Sequence, residues 1–210
     1  MLQSYINKIK STIHESLPGW EAQKQMMPVR HENLNATPAN KLKPKEGSVM
    51  ILLYQKNDQV YFPLMLRPNY NGVHGGQISL PGGKKEEQDK DFIDTAIRET
   101  EEEIGIKAKD VKILGRLTEL FVFASNFTII PVVGYISVPP MFIPNPYEVE
   151  AIIETPVGDL LNEKMIKNTS LHVRGFDIDT PYFDIGGNIV WGATAMVLSE
   201  FKALLKDEIS

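Results

Sequence analysis

The chain has 210 residues, which supports one well-filled domain and is short for two. A hydrophobic fraction of 42%, a charged fraction of 23% and a formal charge of −5 describe an ordinary globular protein, without the basic stripe that nucleic-acid binding requires. Cysteine is absent, which excludes disulfides, thiolate metal ligands and a cysteine nucleophile.

Leu2, Ile6, Ile9, Ile13 and Leu17 recur at helical spacing, and Pro18-Gly19 stops the pattern, so the chain is expected to open on a packing helix. This segment lacks the continuous apolar core of a signal peptide. The longest apolar region, 129–144, is interrupted by Pro131, Pro139 and Pro140, which argues against a membrane span. A soluble, cytoplasmic protein with neither membrane nor nucleic acid as partner is the expectation. From Trp20 to Glu46 the chain is polar and punctuated by Pro28, Pro38 and Pro44, and it reads as an extended connection. Residues 1–45 are therefore expected to form an N-terminal helix and connection, and residues 46–210 the main domain.

Ser48 to Tyr54 and Val60 to Leu66 read as paired strands joined by a hairpin turn. A glycine-rich loop over 71–85 follows, then a helix from about Asp91 to Ile104, with Asp91 as N-cap and Gly105 as stop. Strand-like runs lie at 112–123, 127–137 and 148–155, and a short helix at 156–161. After a polar stretch, 188–190 reads as a short strand and 193–205 as a closing helix. Strands in the middle with helices between and after them predict a mixed sheet covered by helices, an α/β fold.

The segment AIRETEEEIGI, residues 96–106, carries the chemical signal. On a helix, Ile93, Ala96, Ile97, Thr100 and Ile104 face the sheet, while Glu99, Glu102 and Glu103 lie within about 100° of arc beside them and Glu101 points away. Three carboxylates at these spacings repel one another, and they sit where the helix dipole disfavours negative charge. A divalent cation with a preference for oxygen ligands reverses that penalty. A solvated acidic face is the competing reading, and an ion pair between Glu103 and Lys107 is a further option. Upstream, Pro81-Gly82-Gly83 forms a turn that exposes backbone to a ligand. It is not a Walker loop, because Ile78 and Lys85 stand where that motif needs Gly and Ser or Thr.

Gly83, Arg98, Glu99, Glu102, Glu103 and Gly105 together resemble the Nudix box, a glycine followed by Arg-Glu-x-x-Glu-Glu-x-Gly, with Asp89 in its middle acidic position. The spacing from Asp89 to Arg98 is one residue longer than the commonest form. With the preceding Gly76, Gln77, Pro81 and Gly82, it resembles the coenzyme A pyrophosphatase branch. Leu64, Arg67 and His74 also fit that branch, as do Pro131 to Gly134, Glu148-Val149 and Val190 to Ala195. Met65, Asn69, Gly72 and Leu80 depart from its upstream signature.

The resemblance implies a Nudix-type α/β/α sandwich with a mixed central sheet. It implies hydrolysis of a diphosphate bond in a nucleotide-linked substrate, with coenzyme A or an acyl derivative as first guess. ADP-ribose, NADH or dinucleotide polyphosphates are the alternatives within the same chemistry. A nucleotide sensor without catalysis is an alternative of another class. The implied cofactor is Mg²⁺ or Mn²⁺, held by Glu99, Glu102, Glu103 and the carbonyl of Gly83. Arg98 is expected to steady a box carboxylate, and the general base to come from Glu99, Glu148 or Glu150. Arg67, His74, Gln77 and Gly82 are expected to meet the substrate. Trp191 and Phe183 are weighed as base-stacking residues against a place in the core. A small-molecule nucleotide diphosphate is the expected partner, and a homodimer is one assembly the reading allows.

Overall fold

The apolar run at residues 48–54 has both faces covered, which makes it the centre of the molecule. A computed structural model describes residues 1–30, 43–68, 76–173 and 175–206. In its first half the elements are α1 (Leu2–Thr12), α2 (Gly19–Gln23), β1 (Val29–Arg30), β2 (Lys45–Lys56), β3 (Gln59–Leu66), β4 (Ile78–Ser79), β5 (Gly82–Lys84) and α3 (Phe92–Ile104). There follow β6 (Lys112–Arg116), β7 (Leu120–Val122), β8 (Phe127–Tyr135), β9 (Ala151–Pro156), α4 (Val157–Leu161), β10 (Ile166–Val173), β11 (Phe176–Ile185), β12 (Asn188–Val190) and α5 (Gly192–Leu205).

Strands β2 and β8 run parallel at the middle of an eight-stranded sheet, and the remaining pairings in it are antiparallel. The register joins β2 to β3 only from Tyr54↔Tyr61 to Lys56↔Gln59. Beyond that, β3 departs to pair with β9 and β4, and β5 pairs with β2 at residues 47–49. Pro81 bridges the divergence, its carbonyl accepting from the amide of Met50 at 2.8 Å. The glycine turn is thereby held at the splay between two strands.

Alternation along β2 divides the core. Met50, Leu52 and Tyr54 pack with Ala96 and Ile104 under α3, whereas Ile51 and Leu53 pack with Ile6, Ile9, Phe62, Leu198 and Phe201 on the opposite side. Helix layers on both faces of a mixed sheet give the expected α/β/α sandwich. The α3 boundaries also match: Asp91 accepts from the amides of Ile93 and Asp94, and Gly105 ends the helix in the left-handed conformation.

Three expectations are corrected. Residues 19–26 are not an extended connection; α2 and a 3-10 turn at Lys24–Met26 fold there, and Ala22, Gln23 and Met26 are buried. Buried Glu200 on α5 accepts from the amides of Gly19 and Thr118 and from the Gln23 side chain, which fastens the N-terminal segment to the main core. The polar stretch before 188 is a long hairpin, β10 against β11, within a second, four-stranded antiparallel sheet. It is half-buried, and Pro181 within β11 masks its strand character in the sequence. The third strand-like run starts at Ala151, so Glu148 and Glu150 lie before the strand rather than on it. No helix among the described residues is long and apolar enough to cross a membrane.

Candidate active site

Helix α3 presents its carboxylates to the glycine turn because Ala96, Thr100 and Ile104 bury the neighbouring face. Glu99 lies directly on Gly83. A β-carbon there would stand 2.5 Å from its Cδ and Oε1. Gly83 contributes this bare α-carbon, while its carbonyl lies against Gly47. Gly82 has a φ of +153°, and a β-carbon on it would strike the Ser48 carbonyl at 2.3 Å, so only glycine fits. Its amide donates to Glu103 Oε2 at 2.7 Å. Glu99 and Glu103 therefore converge on one two-glycine turn.

Two guanidinium groups organise these acids. Arg98 donates to Asp89 through Nε and Nη2 at 2.9 and 3.0 Å, to Glu99 and Glu102 through Nη1 at 2.9 Å each, and to the Lys84 carbonyl. Asp89 is buried and also accepts from Thr95 and the Glu86 amide, so Arg98 holds its carboxyl well below the usual carboxylate range. Arg98 thus bonds Glu99 and Glu102 while held by two bonds to the middle acid, Asp89. Arg67 donates through Nη2 to Glu103 Oε1 at 2.9 Å and to the Gly82 carbonyl at 3.2 Å, and through Nε to Ser79 Oγ at 3.1 Å.

Burial raises the pKa of Glu99 despite Arg98, with Glu102 and Glu148 adding to the rise. For Glu103, whose side chain is 1% exposed, burial outweighs Arg67 and the Gly82 amide and lifts it to about 7, with Glu99 and Glu148 contributing. The exposed Glu148 adds to the rise on both box acids. Asn145, which sequence reasoning missed, positions it. The Asn145 amide donates to the Glu103 carbonyl at 2.9 Å, its carbonyl accepts from Glu148 and Val149, and its side chain accepts from Tyr147. The only sequence clue is a polar residue between Pro144 and Pro146.

Arg67, expected on the substrate, is turned onto Glu103. The Gly82 amide donates to Glu103 and its carbonyl accepts from Arg67. Gln77 is half-buried and its carbonyl accepts from the Arg67 amide. His74 lies outside the described residues. Lys107 pairs with Glu101, not Glu103. Phe183 is fully buried beneath the Lys202 ammonium, so it belongs to the core, while Trp191 is half-buried.

Among the described residues, no three acidic or histidine side chains are already gathered as a metal cage. The donor chemistry nonetheless fits a hard divalent cation. Glu99 and Glu102 pair with Arg98 and Glu103 with Arg67, and burial makes Glu99 and Glu103 resist ionisation without further positive charge.

A mixed sheet between helix layers, with a carboxylate helix set against a glycine turn at a strand divergence, defines the class of protein. The NUDIX domain model matches residues 44–167. "Nudix hydrolase 15, mitochondrial" of Arabidopsis thaliana is 36% identical over 166 residues, covering 76% of this chain and 58% of that protein. "Nudix hydrolase 22, chloroplastic" of the same plant is 33% identical over 196 residues, covering 90% and 61%. The chain spans about three fifths of the length of these two relatives. Among solved structures, the Nudix hydrolase RenU of M. smegmatis aligns with a TM-score of 0.55 at 12% identity, covering 80% of this chain and 89% of that one. A MutT/nudix family protein of Enterococcus faecalis aligns at 0.54 and 16%, covering 79% and 64%. These two share the fold. The chain belongs to the Nudix family. The names of the two plant relatives carry organelle labels and no substrate, so they do not support the cytoplasmic or coenzyme A expectations.

Proposed function

We propose that the chain is a divalent-metal-dependent pyrophosphohydrolase that cleaves a diphosphate bond in a nucleotide-linked substrate. One observation supports this most: Glu99 and Glu103 meet on the Gly82-Gly83 turn, with Glu148 close enough to raise the pKa of both. A merely solvated acidic face does not bury its carboxylates, and a binder has no need of so costly a concentration of charge.

Glu99, Glu102 and Glu103 are the side chains that would hold Mg²⁺ or Mn²⁺. Such an ion, when bound, neutralises the diphosphate and lowers the pKa of water. Arg98 keeps Glu99 and Glu102 in place from its anchor on Asp89. Glu148 is the proposed general base, since it is exposed and its charge bears on Glu99 and Glu103, and Asn145 sets its position. Fixed charge and positioning supply the rate acceleration, as little covalent work is needed.

Coenzyme A or an acyl derivative is the first substrate to test, on the strength of Leu64, Arg67, Gln77 and the Pro81-Gly82-Gly83 turn in the sequence. The test is a panel of coenzyme A, acyl-coenzyme A, ADP-ribose, NADH and dinucleotide polyphosphates with Mg²⁺ or Mn²⁺ and product identification. Absence of phosphate-bearing products from every member defeats the proposal. Glu103→Gln is expected to lower turnover by about 10²-fold or more while the protein stays folded. Unchanged turnover would remove Glu103 from the ligand set.

A further inference from the structure

We propose that Arg67 is an exchangeable counter-ion, neutralising Glu103 in the cation-free protein and turning to the substrate's diphosphate once a divalent cation takes its place on Glu103. The inference rests on the hydrolase reading above and adds to it a coupling between cation and substrate binding.

Both oxygens of Glu103 are occupied in the structure. Oε2 accepts from the Gly82 amide and Oε1 from Arg67 Nη2. The amide belongs to a turn locked between strands, so it stays. Oε1 is therefore the oxygen a cation can claim, and Arg67 is what occupies it. Retaining both would set a single and a double positive charge against one carboxylate oxygen.

The two guanidinium groups differ in freedom. Arg98 is tied to three carboxylates and a carbonyl, with two of its bonds to buried Asp89. Among the described residues Arg67 has one carboxylate partner, and its other side-chain bonds go to the Ser79 hydroxyl and the Gly82 carbonyl, neutral acceptors that a phosphate oxygen outcompetes. Arg67 also covers Glu103: its side chain is 18% exposed against 1% for the acid. A freed guanidinium carries the planar fork that suits two phosphate oxygens. The same residue is thus a pair partner before the cation binds and a phosphate partner afterwards.

The test measures Mn²⁺ binding to the full chain by titration calorimetry without substrate, in the wild type and in Arg67→Met. The variant is expected to bind Mn²⁺ about tenfold more tightly, because one competing positive charge is gone. Its KM for a hydrolysed substrate is expected to rise about tenfold as a phosphate partner is lost. Equal or weaker Mn²⁺ binding in the folded variant overturns the proposal. Should Arg67→Met not fold, the wild type still decides it. Adding diamagnetic Mg²⁺ should speed hydrogen exchange at Arg67 Nε, and an unchanged rate in protein that binds Mg²⁺ refutes the exchange. Wild-type protein that binds neither ion overturns the hydrolase reading itself, which the other outcomes leave standing.

Discussion

Gly83→Ala isolates the contact on which the site is built. The backbone of Gly83 is not in the left-handed region, so alanine brings no conformational strain of its own. Its methyl would lie 2.5 Å from Cδ and Oε1 of Glu99 and 2.6 Å from Oε2, where ordinary contact begins at 3.4 Å. The carboxylate must retreat by about 0.9 Å and drag or lose its bond to Arg98 Nη1. A displacement near 1 Å at a reacting centre costs about 10²-fold in rate. Overpacking costs about 1–3 kcal/mol, and a side-chain end that can swing aside puts this case at the lower end. At about 2–4 °C per kcal/mol in a chain of this size, the fall in midpoint is a few degrees. The assay is kcat on whichever panel member is hydrolysed, with thermal unfolding measured in parallel, with and without Mn²⁺. Expected are a roughly 10²-fold loss of kcat, a nearly unchanged KM and a smaller upward shift by Mn²⁺. A folded Gly83→Ala protein with wild-type kcat refutes the argument that Glu99 needs that bare α-carbon.

The remaining predictions address charge and packing. Glu103 titrates near 7 in the fold and near 4.5 in the unfolded chain, so the fold retains a proton that the unfolded state loses. Cation-free protein is therefore expected to lose about 3 kcal/mol of stability as pH rises from 4.5 to 7, and urea titrations across that window should show the loss shrink in Glu103→Gln. Asp89 has the opposite sign: its depressed pKa stabilises the fold above the ordinary carboxylate range, and that contribution fades as pH falls below about 4. Asp89→Asn leaves Arg98 underpaired and is expected to cost about 3 kcal/mol and to weaken Mn²⁺ binding; an unchanged midpoint counts against its anchoring role. Glu200→Ala strands the Gly19 and Thr118 amides and leaves the Gln23 side chain only its bond to the Thr118 carbonyl. It should make residues 1–26 far more sensitive to limited proteolysis, whereas wild-type resistance would deny the carboxylate its fastening role.

Much of the frame was readable from local pattern. The β2–β3 hairpin, the α3 boundaries from Asp91 to Gly105 and the sheet-facing stripe of Ala96, Thr100 and Ile104 all follow from periodicity and capping, which neighbours along the chain specify. The box residues were legible too, because one helical turn fixes the spacing of Glu99, Glu102 and Glu103. The β10–β11 hairpin was hidden: Gly175 and Pro181 interrupt it, and its half-buried alternation is shallow. The helical character of 19–26 was hidden as well, since it depends on Glu200, far away in sequence, to satisfy its exposed amide.

Residue types and their spacing by themselves determined the family, the carboxylate helix and the glycine turn that precedes it. Only the folded chain decided which charges meet. It sent Arg67 inward to Glu103, placed Asp89 beneath Arg98, and set Glu148 where its charge bears on Glu99 and Glu103. A helix sets distances among its own side chains, but a pairing across 36 residues of sequence, as between Arg67 and Glu103, is set by where β3 parts from β2 and by how deeply α3 sinks into the sheet.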